Sequence, residues 1–223
     1  LPENVSVRDL EPAMGDAVTE LLAGLTAADK YINPKWFYDE AGSRLFEQIT
    51  ELPEYYPTRT ERQIFLDCEA SIAAACGTGH QLLEPGSGSS EKVRLLLDAL
   101  RPANYLPVDI SAEFLFASAA ALGKAYPWLQ VDAVCADFSA GWEFLEHYPA
   151  PSRLVFYPGS TLGNFSPEAA RVFLAGLVPL LGAAGGLLIG VDRHKSTQVL
   201  EAAYNDRAGI TAQFNRNVLS RIN

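Results

Sequence analysis

Short apolar runs alternate with helix-patterned segments over most of the chain after residue 80. These runs predict buried strands at 81–84, 105–109, 131–137, 154–157 and 186–192. Helical spacing of apolar positions occupies the intervals at 90–100, 112–126 and 167–181, and a shorter helix is expected near Trp142. Five strands in strand-helix alternation predict a parallel sheet covered on both faces, which is an α/β fold.

The first 80 residues have a different pattern. They show no strand-like alternation, and their helix-like segments at 13–25, 43–50 and 60–75 are separated by prolines. We therefore divide the chain into an N-terminal helical region at 1–80, which forms a lid or substrate region, and a parallel-sheet domain at 81–223.

A glycine-rich turn follows the first strand after residue 80. The segment Glu84-Pro85-Gly86-Ser87-Gly88 leads into a helix with a capping signal, and Asp109 ends the next strand. The two glycines permit positive φ and close approach of the backbone to a ligand, while Asp109 can accept hydrogen bonds from two ribose hydroxyls. The pattern therefore predicts a nucleoside site at the carboxyl edge of the sheet.

The charges around this turn narrow the choice of nucleoside. The dinucleotide fingerprint needs a third glycine where this chain has Glu91, which disfavours NAD. The carboxylate of Glu84 repels a pyrophosphate but attracts a sulfonium and an α-ammonium group, so S-adenosylmethionine is the expected cofactor. The E-x-G-x-G pattern resembles the first motif of Rossmann-like methyltransferases, and Asp137-Phe138, after the third strand, resembles their adenine contact.

Composition excludes several classes of partner. The net charge of −10 provides no basic surface for nucleic acid or an anionic membrane, and a small-molecule substrate is expected instead. The three cysteines and three histidines show no metal-ligand spacing, and the cysteines suit small core positions in a reducing cytoplasm. The uncharged segment at 172–191 is long enough to span a bilayer, but Pro179 and the glycine-alanine turn at 182–186 predict helix, turn and strand. No secretory signal is visible at the N-terminus.

Six longer motifs resemble the ergothioneine-pathway histidine Nα-methyltransferases, from residue 35 onward. They are 35–39 (KWFYD), 45–50 (LFEQIT), 52–59 (LPEYYPTR), 86–92 (GSGSSEK), 159–165 (GSTLGNF) and the pair 203–206 (AYND) with 214–217 (FNRN). Members of that family transfer three methyl groups from S-adenosylmethionine to the α-amine of histidine, which gives hercynine. The resemblance implies the class I methyltransferase version of the Rossmann-like sheet, whose seven strands exceed the five predicted here. We therefore expect the chain to be the front part of a longer protein.

The glycine turn and the resemblance together define candidate site residues. The expected cofactor contacts are Tyr38, Glu84, Gly86, Ser87, Gly88, Lys92, Asp109, Asp137 and Phe138. The resemblance assigns substrate binding to Tyr55, Gly159, Asn164 and Tyr204. It also places Tyr38 near the methyl path and implies that Tyr38 and Asn164 act in catalysis by orienting the amine. The family's imidazole-contacting glutamate and serine are expected beyond Asn223.

Some alternatives stay open at this point. Tyr55 and Tyr204 also suit packing, Asn164 suits a turn, and Lys92 suits a solvated helix surface. Pro85 replaces the family's usual leucine, and Tyr157-Pro158 replaces a phenylalanine-leucine pair. The family also includes fungal enzymes that methylate an indole amino acid, so a tryptophan derivative is an alternative acceptor. A non-catalytic module that binds S-adenosylmethionine is a second alternative.

Overall fold

A computed structural model of the chain describes residues 1–10 and 17–222. Within that part, six parallel strands form one sheet in the order β1-β4-β3-β2-β5-β6. The strands are β1 (Val5–Asp9), β2 (Gln81–Pro85), β3 (Asn104–Asp109), β4 (Val131–Cys135), β5 (Arg153–Tyr157) and β6 (Gly186–Ile189). The five strands predicted after residue 80 are confirmed, and so is the α/β class.

The helices of the described residues cover both faces of this sheet, and some of them pack in a separate cluster. They are α1 (Ala17–Thr26), α2 (Glu40–Glu51), α3 (Tyr56–Cys76), α4 (Glu91–Arg94), α5 (Leu97–Leu100), α6 (Ala112–Ala125), α7 (Pro167–Leu181), α8 (Thr197–Tyr204) and α9 (Ile210–Ile222). Single 3₁₀ turns span Pro34–Phe37, Glu143–His147 and Thr161–Asn164. The predicted helix at 13–25 is described only from residue 17, and its first residues lie outside the described part.

Strand β1 corrects the sequence analysis, because no strand was predicted in the first 80 residues. It pairs with β4 at the edge of the sheet, from Val5 opposite Val131 to Asp9 opposite Cys135. The Asn4 side chain precedes it and donates hydrogen bonds to three backbone carbonyls at 123, 126 and 129. Partners more than 100 residues away therefore select the extended conformation. The division into two regions at residue 80 remains a prediction, although a strand from the first region pairs within the sheet.

The helix predicted at 90–100 is also only partly correct. The structure has two single-turn helices, α4 and α5, with Leu96 between them at φ −121° and ψ −11°. Ser90 stands before α4 in the left-handed region, at φ 55°. The segment at 172–191 forms the end of α7, a turn and β6, as predicted. Among the described helices, none is long and apolar enough to cross a membrane.

Side chains alternate between two buried layers, one on each face of the sheet. Leu82, Tyr105 and Phe156 belong to one layer, while Leu83 and Leu106 belong to the other. A third cluster packs α2, the start of α3 and the segment from α8 to α9 around Ile49, Tyr55 and Ala203. Parallel strands all end at the same edge of a sheet. The polar residues at the ends of β2, β3 and β4 therefore lie at that edge.

Candidate functional site

The glycine turn folds as its sequence predicts. Gly86 and Gly88 have φ of 70° and 52°, in the left-handed region that glycine adopts at low cost. The amide nitrogen of Gly86 donates to Val108 O at 2.7 Å, and that of Gly88 donates to Asp109 Oδ2 at 3.0 Å. The Ser87 hydroxyl is buried and finds no hydrogen-bond partner among the described residues. The turn is thus held rigidly against β3 and has an unused polar group.

Asp109 is held at the end of β3 by backbone donors. Its Oδ1 accepts from Ser111 N at 3.0 Å, while Oδ2 accepts from Gly88 N. Burial raises the pKa of this carboxyl, and the backbone hydrogen bonds partly oppose that rise. Each carboxylate oxygen has a second lone pair, so two further hydrogen bonds, such as those from a ribose diol, can be accepted.

Glu84 lies in β2, directly before the turn, and is almost fully buried. The Tyr105 hydroxyl donates to Glu84 Oε2 at 2.5 Å and lies 3.1 Å from Ser90 Oγ. Burial raises the pKa of Glu84 to about 8, although Tyr105 and nearby Lys92 act in the opposite direction. A cation placed near this carboxyl would therefore favour its ionised form.

Asp137 and Phe138 follow β4, as the proposed adenine contact requires. Lys35 Nζ lies 3.1 Å from Asp137 Oδ2, and Ser139 N donates to Oδ1 at 2.9 Å. Burial raises the pKa of Asp137, but the hydrogen bonds from Ser139 and Lys35 outweigh it and leave the pKa below its ordinary value. The Phe138 ring lies beside the turn, 3.9 Å from where a Cβ on Gly86 would stand.

Lys35 was not singled out as a site residue by the sequence analysis. Its ammonium also lies 2.8 Å from Glu20 Oε2, so it joins α1 to Asp137. Residue 35 belongs to the KWFYD motif, which was the available signal, but a lysine in a loop does not indicate its partner. The contact shows that the N-terminal region reaches the side of the site where adenine is expected.

Tyr38 packs against aromatic side chains of α2 and α9. Its ring contacts Phe46 and Phe214 at centroid distances of 5.5 and 5.4 Å. Burial raises the pKa of the phenol to about 12, and the charges of Asp109 and Tyr204 add to the rise. Tyr38 is therefore a neutral phenol at physiological pH, and it interacts electrostatically with Asp109 and with Tyr204.

The structure brings the two other predicted tyrosines together. The rings of Tyr55 and Tyr204 meet edge to face, with centroids 5.8 Å apart and an interplanar angle of 89°. Burial raises the pKa of Tyr55, and a hydrogen bond with Tyr204 raises it further. Tyr55 is 7% exposed, whereas Tyr204, at the end of α8, is 55% exposed. The Phe46 ring contacts both Tyr38 and Tyr55, at centroid distances of 5.5 and 6.3 Å, so the three tyrosines belong to one aromatic cluster.

Lys92 is paired within the fold. Its Nζ lies 2.7 Å from Glu61 Oε2, and Glu61 Oε1 accepts from Gly159 N at 2.7 Å. Gly159 has φ of 79°, and a Cβ there would stand 2.8 Å from Lys92 Nζ. Glu61 was missed because a glutamate in the charged helix α3 gives no sequence signal. It connects a predicted cofactor residue to a predicted substrate residue.

Asn164 ends the 3₁₀ turn that follows Gly159, and it is exposed. Its role in orienting the substrate remains a prediction. Among the other candidates, those at the ends of β2, β3 and β4 lie at one edge of the sheet, and their chemistry fits S-adenosylmethionine. Asp109 suits a ribose diol, Phe138 suits an adenine ring, the free Ser87 hydroxyl suits a polar ligand atom, and the Glu84 carboxyl suits a cation.

Comparison with known proteins shows the family of the chain. The model of the histidine-specific, SAM-dependent methyltransferase family matches residues 17–223. The chain belongs to this family. It is 49% identical over 208 residues to a histidine N-alpha-methyltransferase of Mycolicibacterium smegmatis, and 44% identical over 209 residues to one of Mycobacterium tuberculosis. Each alignment covers 92% of this chain and 64% of the relative, so this family member spans less than two thirds of the length of those proteins.

Solved structures of other methyltransferases share the fold of this family member. The plantazolicin methyltransferase BpumL, solved in complex with SAH, superposes with a TM-score of 0.55 at 18% identity. The match covers 92% of this chain and 72% of that chain. The expected class I methyltransferase fold is thereby confirmed.

Proposed function

We propose that this protein transfers methyl groups from S-adenosylmethionine to the α-amine of L-histidine, in three steps that give hercynine. The observation that carries the proposal is the glycine turn held against the end of β3, where Gly88 N donates to Asp109 Oδ2 at 3.0 Å. Tyr38, Tyr55 and Tyr204 belong, with Phe46 and Phe214, to one aromatic cluster that suits a small zwitterion. The names of the two mycobacterial relatives support histidine as the acceptor.

The cofactor would lie over the glycine turn. S-adenosylmethionine, when bound, supplies an electrophilic methyl group on a sulfonium. Asp109 would accept the ribose hydroxyls, Phe138 and Asp137 would hold the adenine, and the Glu84 carboxylate would favour the positive charge of the ligand. Gly86 and Gly88 keep side chains away from the path of the ligand.

The acceptor would lie against the phenols of Tyr38, Tyr55 and Tyr204. Methyl transfer needs a neutral amine lone pair in line with the breaking bond, so the site must mainly orient and desolvate the amine. The α-ammonium group loses its proton more readily in a dry pocket than in water, because burial disfavours its charged form and lowers its pKa. Aromatic faces stabilise the ammonium product by about 0.5 to 2 kcal/mol through cation–π attraction. The phenols themselves are neutral, so they bring no negative charge into the site.

Mass spectrometry of histidine incubated with the full-length protein and S-adenosylmethionine tests the proposal. We expect mono-, di- and trimethylated histidine to appear in turn, with the trimethyl product at the end. A competition between equimolar histidine and tryptophan addresses the indole alternative, and we expect methyl groups on histidine alone. Methylation of tryptophan in preference to histidine would refute the acceptor, and cofactor binding without any turnover would indicate a non-catalytic module.

A further inference from the structure

Tyr105 and Glu84 form a hydrogen-bonded pair inside the fold. Tyr105 lies within β3 and is fully buried, and Glu84, near the end of β2, is 2% exposed. The Tyr105 hydroxyl donates to Glu84 Oε2 at 2.5 Å, and no other hydrogen bond to this carboxyl is found among residues 1–10 and 17–222. The Ser90 hydroxyl lies 3.1 Å from the phenolic oxygen and can donate to it. A chain of two hydroxyls therefore connects the residue before α4 to the Glu84 carboxyl.

The strand register puts this pair on the same face of the sheet as Asp109. In the parallel pairing of β2 with β3, Glu84 lies opposite Pro107. Side chains alternate between the two faces along a strand, so Tyr105, Pro107 and Asp109 share the face of Glu84. Asp109 is in turn bonded to Gly88 N of the glycine turn. The buried pair therefore lies next to the turn, on the face that carries the proposed ribose contact.

Packing alone does not account for this polar pair. Tyr105 belongs to a buried layer whose other members include Leu82, Val93 and Leu96. A phenylalanine with an apolar partner would fill the same space without removing a carboxyl group from water, and such replacements are often neutral or stabilising. The pair thus costs free energy that the fold itself does not require.

The charges around Glu84 indicate what could offset that cost. The charged groups that act on it are Lys92, Asp109 and Glu61. Lys92 is the one cation among them, and its ammonium is already paired with Glu61 Oε2 at 2.7 Å. The carboxyls of Glu84 and Asp109 thus share one face without a cation of their own, and a positively charged ligand group would supply it.

We propose that Tyr105 is a positioning residue for the cofactor, whose hydroxyl holds the Glu84 carboxylate ready to pair with the α-ammonium group of S-adenosylmethionine. The inference rests on the proposed function, in which the cofactor lies over the glycine turn. An ammonium has three N–H donors for a carboxylate, whereas a sulfonium has none. The Tyr105 hydroxyl occupies one lone pair of Oε2, which leaves the other acceptor positions of the carboxylate for the ligand. Tyr105 acts through Glu84.

The experiment is isothermal titration calorimetry of the full-length protein with two ligands, in the absence of an acceptor. They are S-adenosylhomocysteine and its deaminated analogue, in which hydrogen replaces the α-amino group and the carboxylate is kept. We expect Tyr105→Phe to raise the Kd of S-adenosylhomocysteine about tenfold, because the ionised carboxylate loses its hydrogen-bond donor. The Kd of the deaminated analogue should change by less than twofold, since that ligand brings no ammonium to Glu84.

Three further variants make this comparison specific. Tyr157→Phe removes the hydroxyl of another fully buried tyrosine, one that has no partner among the described residues, and should bind both ligands within twofold of wild type. In a Glu84→Gln background, Tyr105→Phe should change the Kd of S-adenosylhomocysteine by less than twofold, because the charge on which it acts is gone. If Tyr105→Phe does not fold, Ser90→Ala removes the second partner of the phenol and should raise the Kd of S-adenosylhomocysteine alone, by at least about twofold.

Other outcomes would overturn the assignment. Equal losses of affinity for the two ligands in Tyr105→Phe would mean that the phenol serves the fold alone. A loss confined to S-adenosylmethionine, with the affinity for S-adenosylhomocysteine unchanged, would place the sulfonium rather than the ammonium beside Glu84. Failure of wild type to bind S-adenosylhomocysteine would refute the cofactor placement and the role of Tyr105 together. Tight binding of S-adenosylhomocysteine by Tyr105→Phe would refute the role of Tyr105 alone. Because no acceptor is present, a failure to methylate histidine would refute the acceptor without touching this inference.

Discussion

Glu61 and Lys92 form a largely buried ion pair, with 2.7 Å between Oε2 and Nζ. The second oxygen of Glu61 holds the amide of Gly159. One carboxylate therefore joins α3, which begins next to Tyr55, to the helix after the glycine turn and to the loop after β5. The lysine predicted to contact the cofactor is already held in place by the fold.

Removal of the Lys92 ammonium group should leave the Glu61 carboxylate without its partner charge. We expect Lys92→Met to lower the free energy of unfolding by about 2 kcal/mol, because a buried charge loses its partner. Urea unfolding at pH 7 measures the change. Glu168→Gln is the control, since it breaks an exposed pair with Arg171 of the same 2.7 Å length and should leave the urea midpoint unchanged. Equal midpoints for Lys92→Met and wild type would contradict the structural role.

The Asp109 carboxylate should dominate recognition of the ribose. We expect Asp109→Ala to weaken binding of S-adenosylhomocysteine by roughly 10- to 150-fold, which corresponds to about 1.5 to 3 kcal/mol for hydrogen bonds to a charged group. Isothermal titration calorimetry gives the affinity. Asp98→Ala, which removes an exposed carboxylate paired with Arg101 away from the turn, should bind as wild type does. An affinity of Asp109→Ala within twofold of wild type would refute the ribose contact.

Glu84 should make the stability of the ligand-free protein depend on pH. Its pKa in the fold, about 8, is higher than its ordinary value of 4.5, so folding favours the protonated carboxyl. The contribution is therefore complete below pH 4.5 and is lost as the pH rises towards 8. Glu84→Gln cannot ionise, and we expect its unfolding free energy to fall less than that of wild type between pH 5 and 8. Urea unfolding measures these free energies. If they changed equally with pH in the two proteins, Glu84 would be ionised in the fold over the whole range.

Gly42 should tolerate no side chain. A Cβ there would stand 1.8 Å from the carbonyl oxygen of Phe37, which precedes Tyr38. We expect Gly42→Ala to lower the free energy of unfolding by about 1 to 3 kcal/mol, because the backbone around Tyr38 must move. Gly176→Ala is the matched control in α7, where the nearest atom is 3.9 Å away, and it should stabilise by up to about 1 kcal/mol. Similar unfolding midpoints for the two variants would contradict this packing.

The main strands were predictable because their apolar runs are long enough to be recognised without partners. Strand β2 is buried along its whole length, and every residue of β4 except Asp132 is buried, which is the pattern of parallel strands. Strand β1 has only two valines between polar residues, and the contacts that form it come from residues 123–135. The residues of β1 alone therefore do not reveal that they form a strand.

The candidate site divides in the same way. Gly86 and Asp109 were found because backbone chemistry requires glycine at a tight turn and a carboxylate at a strand end. Glu61 and Lys35 were not found, since each acts through a partner more than 30 residues away.

A crystal structure of the full-length protein with S-adenosylhomocysteine tests the central claim most directly. The account predicts both ribose hydroxyls within hydrogen-bond distance of Asp109, the adenine against Phe138 and the sulfur atom beside the Gly86 turn, facing Tyr38. A nucleoside bound elsewhere, or a carboxylate of Asp109 turned away from the ribose, would contradict it.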